Sequence, residues 1–543
     1  MSEFWHEPQT DTLIYPGALP PHVAPFLPDA KPLNGSFFAV PRTLRNSIVL
    51  AQYGYPVAPV MTDENYDWPI EPGRKPLAHQ KLCSNFAALH PRSLNLGDPG
   101  TQKTLSSLWF ADFFMRQFEP GTCRGLIIAP LSILETVWAS AIFRNFPGRR
   151  TFKVLVGDAE KRMRLLAEPA DFYIINFDGI KVGAHLKGKR RMELDGFSAA
   201  LEARKDIKFV IADEVSAYKD SRTARHAITK KVLGDRPVFL GLTGTPCPNA
   251  PTDAFGIAKF VNNAFGKSIT RFRDETMVKV SEFKYVPQKD GYEKARRLLT
   301  PSIRFELDSI WDGPPMTVQR RKVELTAEQK KAFADLKRDL QVLAKSGQAI
   351  SANNEAAARQ KAIQIGLGMI YDEHHKTHVI DAKPRYEELY DIIGSTQRKV
   401  LVFVVITSAI HLMMEYVKKR WKVDGLPYRA DFINGEVPAS KRPAIINAFV
   451  DDPNLKVIFA DPGAAGHGIN QFVEADTLVW ASATDKPELY TQGNGRVRRP
   501  GQKYPSTCYQ LVSNKLEEEI FDRLENKTSL QGVMLQALRE GKF

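Results

Sequence analysis

The stretch LNLGDPGTQKTLSSLW, Leu94 to Trp109, decides the fold. A short apolar run enters a Gly-Pro-Gly turn, meets Lys103 and Thr104, and continues in a pattern expected to form an amphipathic helix. This is the outline of a phosphate-binding loop. Such a loop needs a tight turn with backbone N–H groups facing the phosphates, a lysine for the β- and γ-phosphates, and a hydroxyl for Mg²⁺. Gly97 and Gly100 would supply the turn, Lys103 the charge and Thr104 the hydroxyl. Gln102 stands where such loops place a glycine. A left-handed backbone at that position costs a side chain roughly 1–2 kcal/mol, and a right-handed one costs almost nothing. Taken alone, the stretch could equally be an ordinary strand–turn–helix.

Outward from the loop, β-branched runs alternate with helical stretches: GLIIAP, DFYIINFD, KFVIADE and VFLGLTGTP. Continuous apolar strands separated by helices predict an α/β fold with a parallel sheet covered on both faces. A charged helical segment follows from Glu324 to Ile370, expected to project from the core or to link two lobes. A second alternating region then runs through KVLVFVVITS, RADFING, LKVIFADPG, DTLVWAS and TCYQLVS. Two α/β lobes in tandem imply a cleft. Before all of this, YPGALPPHVAPFLP reads as an extended arm, and FFAVPRTLRNSIVLAQYG as a strand and short helix of a small accessory unit.

Two further clusters carry chemistry. KFVIADEVSAYKD ends an apolar strand on Asp213 and Glu214. Asp213 would hold the Mg²⁺ shell and Glu214 would orient and deprotonate the attacking water, although acids at a strand end also commonly cap the next helix. In the second lobe, YTQGNGRVRRPGQ places Arg496 and Arg499 three apart, on one face of a helical turn. A guanidinium can stabilise charge building on a γ-phosphate.

Bulk properties fit. A chain of 543 residues is too long for one core, and 43% hydrophobic with 25% charged residues is ordinary for a globular protein. A formal charge of +13 points to a polyanionic partner, nucleic acid before membrane. Four cysteines without a CxxC pair argue against a disulfide framework or a zinc ribbon. The polar start MSEFWHEPQT is no signal peptide, and VLVFVVI is far too short to span a bilayer, so a soluble cytoplasmic protein is expected.

With these residues in place, the order of motifs resembles helicase superfamily two, specifically the Swi/Snf-type double-stranded DNA translocases. The matches are LAHQ, GDPGTQKT, IIAPLSILETVW, INFDGI, IADEVS and LTGTPCPN, then VFVVITSAIHLM, ADPGAAGHGINQFVEADTLVW and QGNGRVRRPGQ. Compactness, FFAVPRTLRN and TGTPCPNAPTDAF make the chain most similar to members encoded by tailed bacteriophages, which would put it in the host cytoplasm. The resemblance implies two RecA-like lobes at 76–300 and 386–543, a helical insertion and linker at 301–385, and an N-terminal accessory region at 1–75. It implies an ATP-driven, Mg²⁺-dependent motor on duplex or branched DNA in replication, recombination or repair, monomeric by family default, with little sequence preference.

Residue by residue, the resemblance gives Gln80 the reading of adenine. Gly97, Asp98, Gly100, Thr101, Gln102, Lys103 and Thr104 would bind ATP, with Thr104 and Asp213 holding Mg²⁺ through water. Lys103, Asp213, Glu214, Gln492, Arg496 and Arg499 would carry catalysis. Pro130, Leu131, Ser132, Thr243, Thr245, Thr407, Gly466, Gly468 and Asn470 would line the DNA track, the two threonines of LTGTP coupling it to ATP. There are departures from the family: Gly97 and Gln102 in the loop, Ser216 where a histidine usually links hydrolysis to LTGTP, and Arg498 where histidine is preferred. Gln102 and Ser216 keep one rival open, a nucleotide-impaired DNA-binding scaffold; an RNA helicase of the same superfamily is a further alternative, against which QGNGRVRRPGQ and the helical insertion count. DEHHKTH, Asp372 to His378, has no ordered ligand spacing, and KGKRR, Lys187 to Arg191, reads as a solvated loop.

Overall fold

The computed structural model describes residues 4–7, 10–34, 37–187, 191–281, 284–345, 352–372, 374–438, 440–465, 469–484 and 486–526. The chain divides into two compact units. One runs from residue 1 to Ile310, interrupted by 248–250 and 278–286, and the other takes those two segments and continues from Trp311.

The first unit is built on a seven-stranded sheet. In chain order its strands are β1 (Arg92–Asn95), β2 (Arg124–Ala129), β3 (Phe152–Val154), β4 (Phe172–Asn176), β5 (Ile207–Asp213), β6 (Val238–Leu242) and β7 (Ser302–Ile303). They lie in the order β7-β1-β6-β5-β2-β4-β3, every pair parallel. The runs LIIA and FVIA are buried throughout, as strands covered on both faces must be. Register decides where chemistry can sit. Asn95 pairs with Leu242, Leu242 with Asp213, and Ala212 with Ile128, so the phosphate-loop stretch, LTGTP, the acid pair and Pro130 all leave the sheet at one carboxyl edge.

Helix α1 (Ala78–Leu89) packs on α2 (Lys103–Met115). Every α2 residue from Leu105 to Met115 is buried, so the helix is enclosed all round rather than amphipathic. Part of its cover comes from the segment before α1: Trp68 packs edge-on to Trp109 at 5.3 Å, and the Trp109 indole donates to the Pro69 carbonyl.

The proline-rich N-terminal stretch is not an extended arm. Val23 and Leu27 are drawn into a small core with Phe4, Leu13, Tyr15, Val40 and Leu50, beneath a four-stranded antiparallel sheet. Apolar side chains spaced around a turn at Ala24–Phe26 outweigh the extended preference of the prolines.

The second unit holds a six-stranded parallel sheet. Its strands are β8 (Met316–Lys322), β9 (Lys399–Phe403), β10 (Arg429–Ile433), β11 (Leu455–Ala460), β12 (Ala475–Trp480) and β13 (Ser506–Val512), in the order β8-β13-β12-β9-β11-β10. The stretch 301–385 is therefore shared: β7 completes the first sheet and β8 the second. Helices α3 (Ala327–Lys345) and α4 (Ala352–Gly366) do not project from the core. Phe333, Leu336, Ala358, Ala362 and Ile365 pack into the second unit's core, and buried Gln329 donates to the Ile365 carbonyl. No helix among the described residues is long and apolar enough to cross a membrane.

Candidate active site

The loop after β1 is folded as a phosphate cradle. Gly100 has φ +90° and Gln102 has φ 57°, ψ 40°, so the residue ahead of Lys103 adopts the left-handed conformation that favours glycine. The angle left open by the sequence takes its costly value. Gly97 is required by space: a Cβ there would lie 2.6 Å from Thr101 Oγ1. Thr101 Oγ1 donates to the Asp98 carbonyl, and Lys103 Nζ donates to the carbonyls of Gly97 (2.6 Å) and Asp98 (3.0 Å), so the lysine rests on its own loop. Burial lowers the Lys103 pKa, opposed by the charges of Glu214, Asp213 and Asp98. Lysine and acid pair thus share one electrostatic neighbourhood.

Asp213 is gripped from two sides. Its Oδ2 accepts from the indole Nε1 of Trp138 at 3.0 Å, and its Oδ1 accepts from the Glu214 backbone N–H at 3.0 Å. Glu214 itself is left-handed, φ 53°. Its Oε2 accepts from Thr243 Oγ1 at 3.3 Å, and that hydroxyl accepts from the Thr245 N–H at 3.1 Å. A direct hydrogen bond therefore joins the acid pair to LTGTP without the histidine that Ser216 replaces. Thr243 is fully buried and offers DNA no surface, whereas Thr245 is half-buried. LTGTP also presses on the cradle, since a Cβ on Gly244 would lie 2.9 Å from Pro99 Cδ.

Gln80 lies at the start of α1 and is fully buried. Its Oε1 accepts from the Leu77 N–H (3.0 Å) and its Nε2 donates to Gln102 Oε1 (3.1 Å). Its neighbour His79 bonds through Nε2 to the Thr101 carbonyl, and burial lowers the His79 pKa despite that bond. Of the expected track residues in this unit, Pro130 and Ser132 are half-buried and Leu131 is 64% exposed, on the turn after β2.

In the second unit, Thr407 opens helix α5 (Thr407–Val423), directly beyond β9. Asn470 is exposed, and Gly466 and Gly468 lie outside the described residues. Gln492 is buried on α6 (Pro487–Val497), which also carries Arg496. Arg499 follows it, half-buried by area, and desolvation pulls its guanidinium down to about 10. The Asp372–His378 cluster closes on itself: Asp372 accepts from His378 Nε2 and from the His374 and Lys376 N–H groups.

Two contributors escaped sequence reading. Trp138 stands at the end of IIAPLSILETVW, and the signal was a tryptophan soon after an expected phosphate-contact turn. It lies in the π-helical segment Leu134–Ala139, a conformation often found at functional sites. Arg304, just past β7, pairs with Asp98 at 3.3 Å, and the Asp98 N–H donates to the Phe305 carbonyl. Only the fold brings those residues to the cradle.

A parallel-sheet lobe whose carboxyl edge joins a phosphate cradle to an adjacent acid pair, followed by a second parallel-sheet lobe, defines a helicase-type nucleotide hydrolase. The model of the SNF2-related domain matches residues 92–370, and that of the helicase conserved C-terminal domain matches 384–501. The chain belongs to the SNF2-related family, DNA-dependent ATPases of helicase superfamily two. It is 24% identical to the protein p41 of Acyrthosiphon pisum secondary endosymbiont phage 1, over 86% of this chain and 98% of that one. It is 22% identical to the CHD3-type chromatin-remodeling factor CHR7 of Arabidopsis thaliana over 80% of its length, but spans 35% of that relative. Among solved structures, helicase Lhr of Mycobacterium smegmatis, bound to ssDNA and AMP-PNP, superposes with TM-score 0.51 at 15% identity, covering 84% of this chain and 49% of that one. This likeness shows the fold.

Proposed function

We propose that the chain is an ATP-driven motor that moves on duplex or branched DNA in replication, recombination or repair, working as a monomer. The observation that carries the reading is the convergence of the Gly97–Thr104 cradle, Lys103 and the Asp213–Glu214 pair at one sheet edge. The donor set around Asp213 and Thr104 is carboxylate and hydroxyl oxygen, which suits Mg²⁺. When bound, the ion would neutralise phosphate charge. Asp213 would hold it through water, in an orientation fixed by Trp138 and the Glu214 N–H.

Lys103 would exchange the Gly97 and Asp98 carbonyls for phosphate oxygens. Glu214 would orient the attacking water and take its proton, with Thr243 keeping the carboxylate in register. Contacts of Pro130, Leu131 and Ser132 with the DNA backbone would reach the same site along the turn that leads to Trp138. Burial lowers the Arg499 guanidinium, and a desolvated guanidinium suits phosphate charge, the role proposed here for Arg499 with Arg496. Asn470 and Thr407 serve the track in this reading. The name DNA repair and recombination protein RDH54, a Saccharomyces cerevisiae relative 24% identical over 62% of this chain, is consistent with it.

The test is phosphate release with single-stranded, duplex, forked and four-way DNA, and with RNA. Duplex or branched DNA should stimulate the parent, and Lys103→Ala or Glu214→Gln should remove the stimulated rate by about a hundredfold or more. The left-handed Gln102 favours one rival, a DNA-binding scaffold. Tight DNA binding with no turnover, restored by Gln102→Gly, would establish that instead.

A further inference from the structure

The glutamine expected to read adenine is buried, with both ends of its amide already engaged inside the protein. Reading an adenine edge takes an amide that offers a donor to N7 and an acceptor to the N6 amine side by side. Gln80 has its acceptor on the Leu77 N–H and its donor on Gln102 Oε1, and no part of the residue reaches solvent. The Leu77 N–H stands at the opening of α1, so withdrawing Gln80 would also uncap that helix. Three stitches tie α1 to the cradle and its helix: His79 to the Thr101 carbonyl, Gln80 to Gln102, and Ser84 Oγ to the Ser106 carbonyl at 2.8 Å. A glycine at position 102 could not make the middle one.

We propose that Gln102 clasps Gln80 away from the nucleotide, so that the site holds its substrate by the phosphates and discriminates weakly between nucleoside triphosphates. The idea rests on the ATP site proposed above and concerns which residue sets its base specificity. Gln102 acts as a positioning residue: it touches Gln80, and through Gln80 it decides whether a base edge is read. Sites that hydrogen-bond a distinguishing group reject analogues lacking it by orders of magnitude, and a site without such bonds does not.

The experiment uses the full chain in a Glu214→Gln background, so that binding is measured without turnover. Magnesium ATP and magnesium GTP are titrated calorimetrically into that protein, into Gln80→Ala and into Gln102→Gly, each checked for folding by its melting transition. The clasp predicts affinities for ATP and GTP within about tenfold in the parent background, a ratio changed less than about twofold by Gln80→Ala, and an ATP preference raised about tenfold by Gln102→Gly. An ATP preference of about a hundredfold or more that Gln80→Ala abolishes would overturn the clasp, as would a ratio indifferent to Gln102→Gly. The parent measurement stands even if a variant does not fold. Binding of both nucleotides, with no hydrolysis by the unmutated chain on any DNA, would sink the motor and leave the clasp intact. Binding of neither would sink the ATP site itself.

Discussion

Asp213 accepts one hydrogen bond from a fully buried indole and one from the next residue's backbone. Trp138→Phe keeps an aromatic ring but removes the first bond and part of the buried volume, loosening the carboxylate's orientation. A hydrogen bond to a charged group contributes about 1.5–3 kcal/mol, so DNA-stimulated hydrolysis should fall roughly ten- to hundredfold. The Mg²⁺ titration midpoint of phosphate release should rise, and the melting temperature should fall modestly because buried ring volume is lost. An unchanged Mg²⁺ midpoint would reduce Trp138 to a packing residue. At this scale the sequence named the cradle, the lysine and the two acids, because their chemistry is local. It could not give the φ of Gln102, which depends on Lys103 bonding back to the loop and on Gln80 arriving from another helix. Nor could it give Trp138 or Arg304, whose roles exist only across the sheet edge.

Elements were legible where one face or both decide the outcome. The buried strands declared themselves as continuous apolar runs, and the structure places them in two parallel sheets. The segment Glu324–Ile370 was legible as helical, but its packing into the second core was not, because the partner surface lies elsewhere in the chain. One joint between elements gives a sharp test. Arg385, on the helix Lys383–Ser395, pairs at 2.7 Å with Glu517 on α7 (Lys515–Glu525), and the two side chains are 1% and 4% exposed. The Ser513 N–H and hydroxyl add two more bonds to the same oxygen, Oε2. Arg385→Met leaves Glu517 buried and unpaired, and should cost about 3–5 kcal/mol in chemical denaturation. Adding Glu517→Leu should recover most of that loss, since the desolvation penalty goes with the charge.

Across the whole molecule, His79 and His226 are buried and His90 is half-buried, and desolvation holds each pKa below its ordinary 6.5. Each folded imidazole resists a proton that the unfolded chain accepts. Their stability contribution is present above 6.5 and is lost as pH falls below it, towards each depressed folded value. Calorimetric melting should therefore show a falling transition temperature from pH 7 to pH 5. His226→Gln, able to keep a bond to the Gly256 carbonyl now made by the ring at 2.9 Å, should flatten part of that slope. A transition temperature constant over this range would show that the three imidazoles protonate freely in the folded chain. The net charge of the sequence points to a polyanionic partner and says nothing of this, because burial is not a compositional property.

The parallel sheet has one more consequence, for a chain made from its N-terminus. Strand β1, which carries the nucleotide cradle, has as neighbours β6 and β7, and both leave the ribosome long after it. The backbone bonds of Leu94, Leu96 and Asp98 run to Pro301, Ile303 and Phe305. At about 5–20 residues per second the cradle waits roughly 10–40 s for the segment that closes its outer edge. During that interval the outer edge of β1 has no strand to pair with, and the cradle lacks its bond from Asp98 to Phe305. The edge of the sheet that carries the cradle is therefore completed only once Phe305 has emerged.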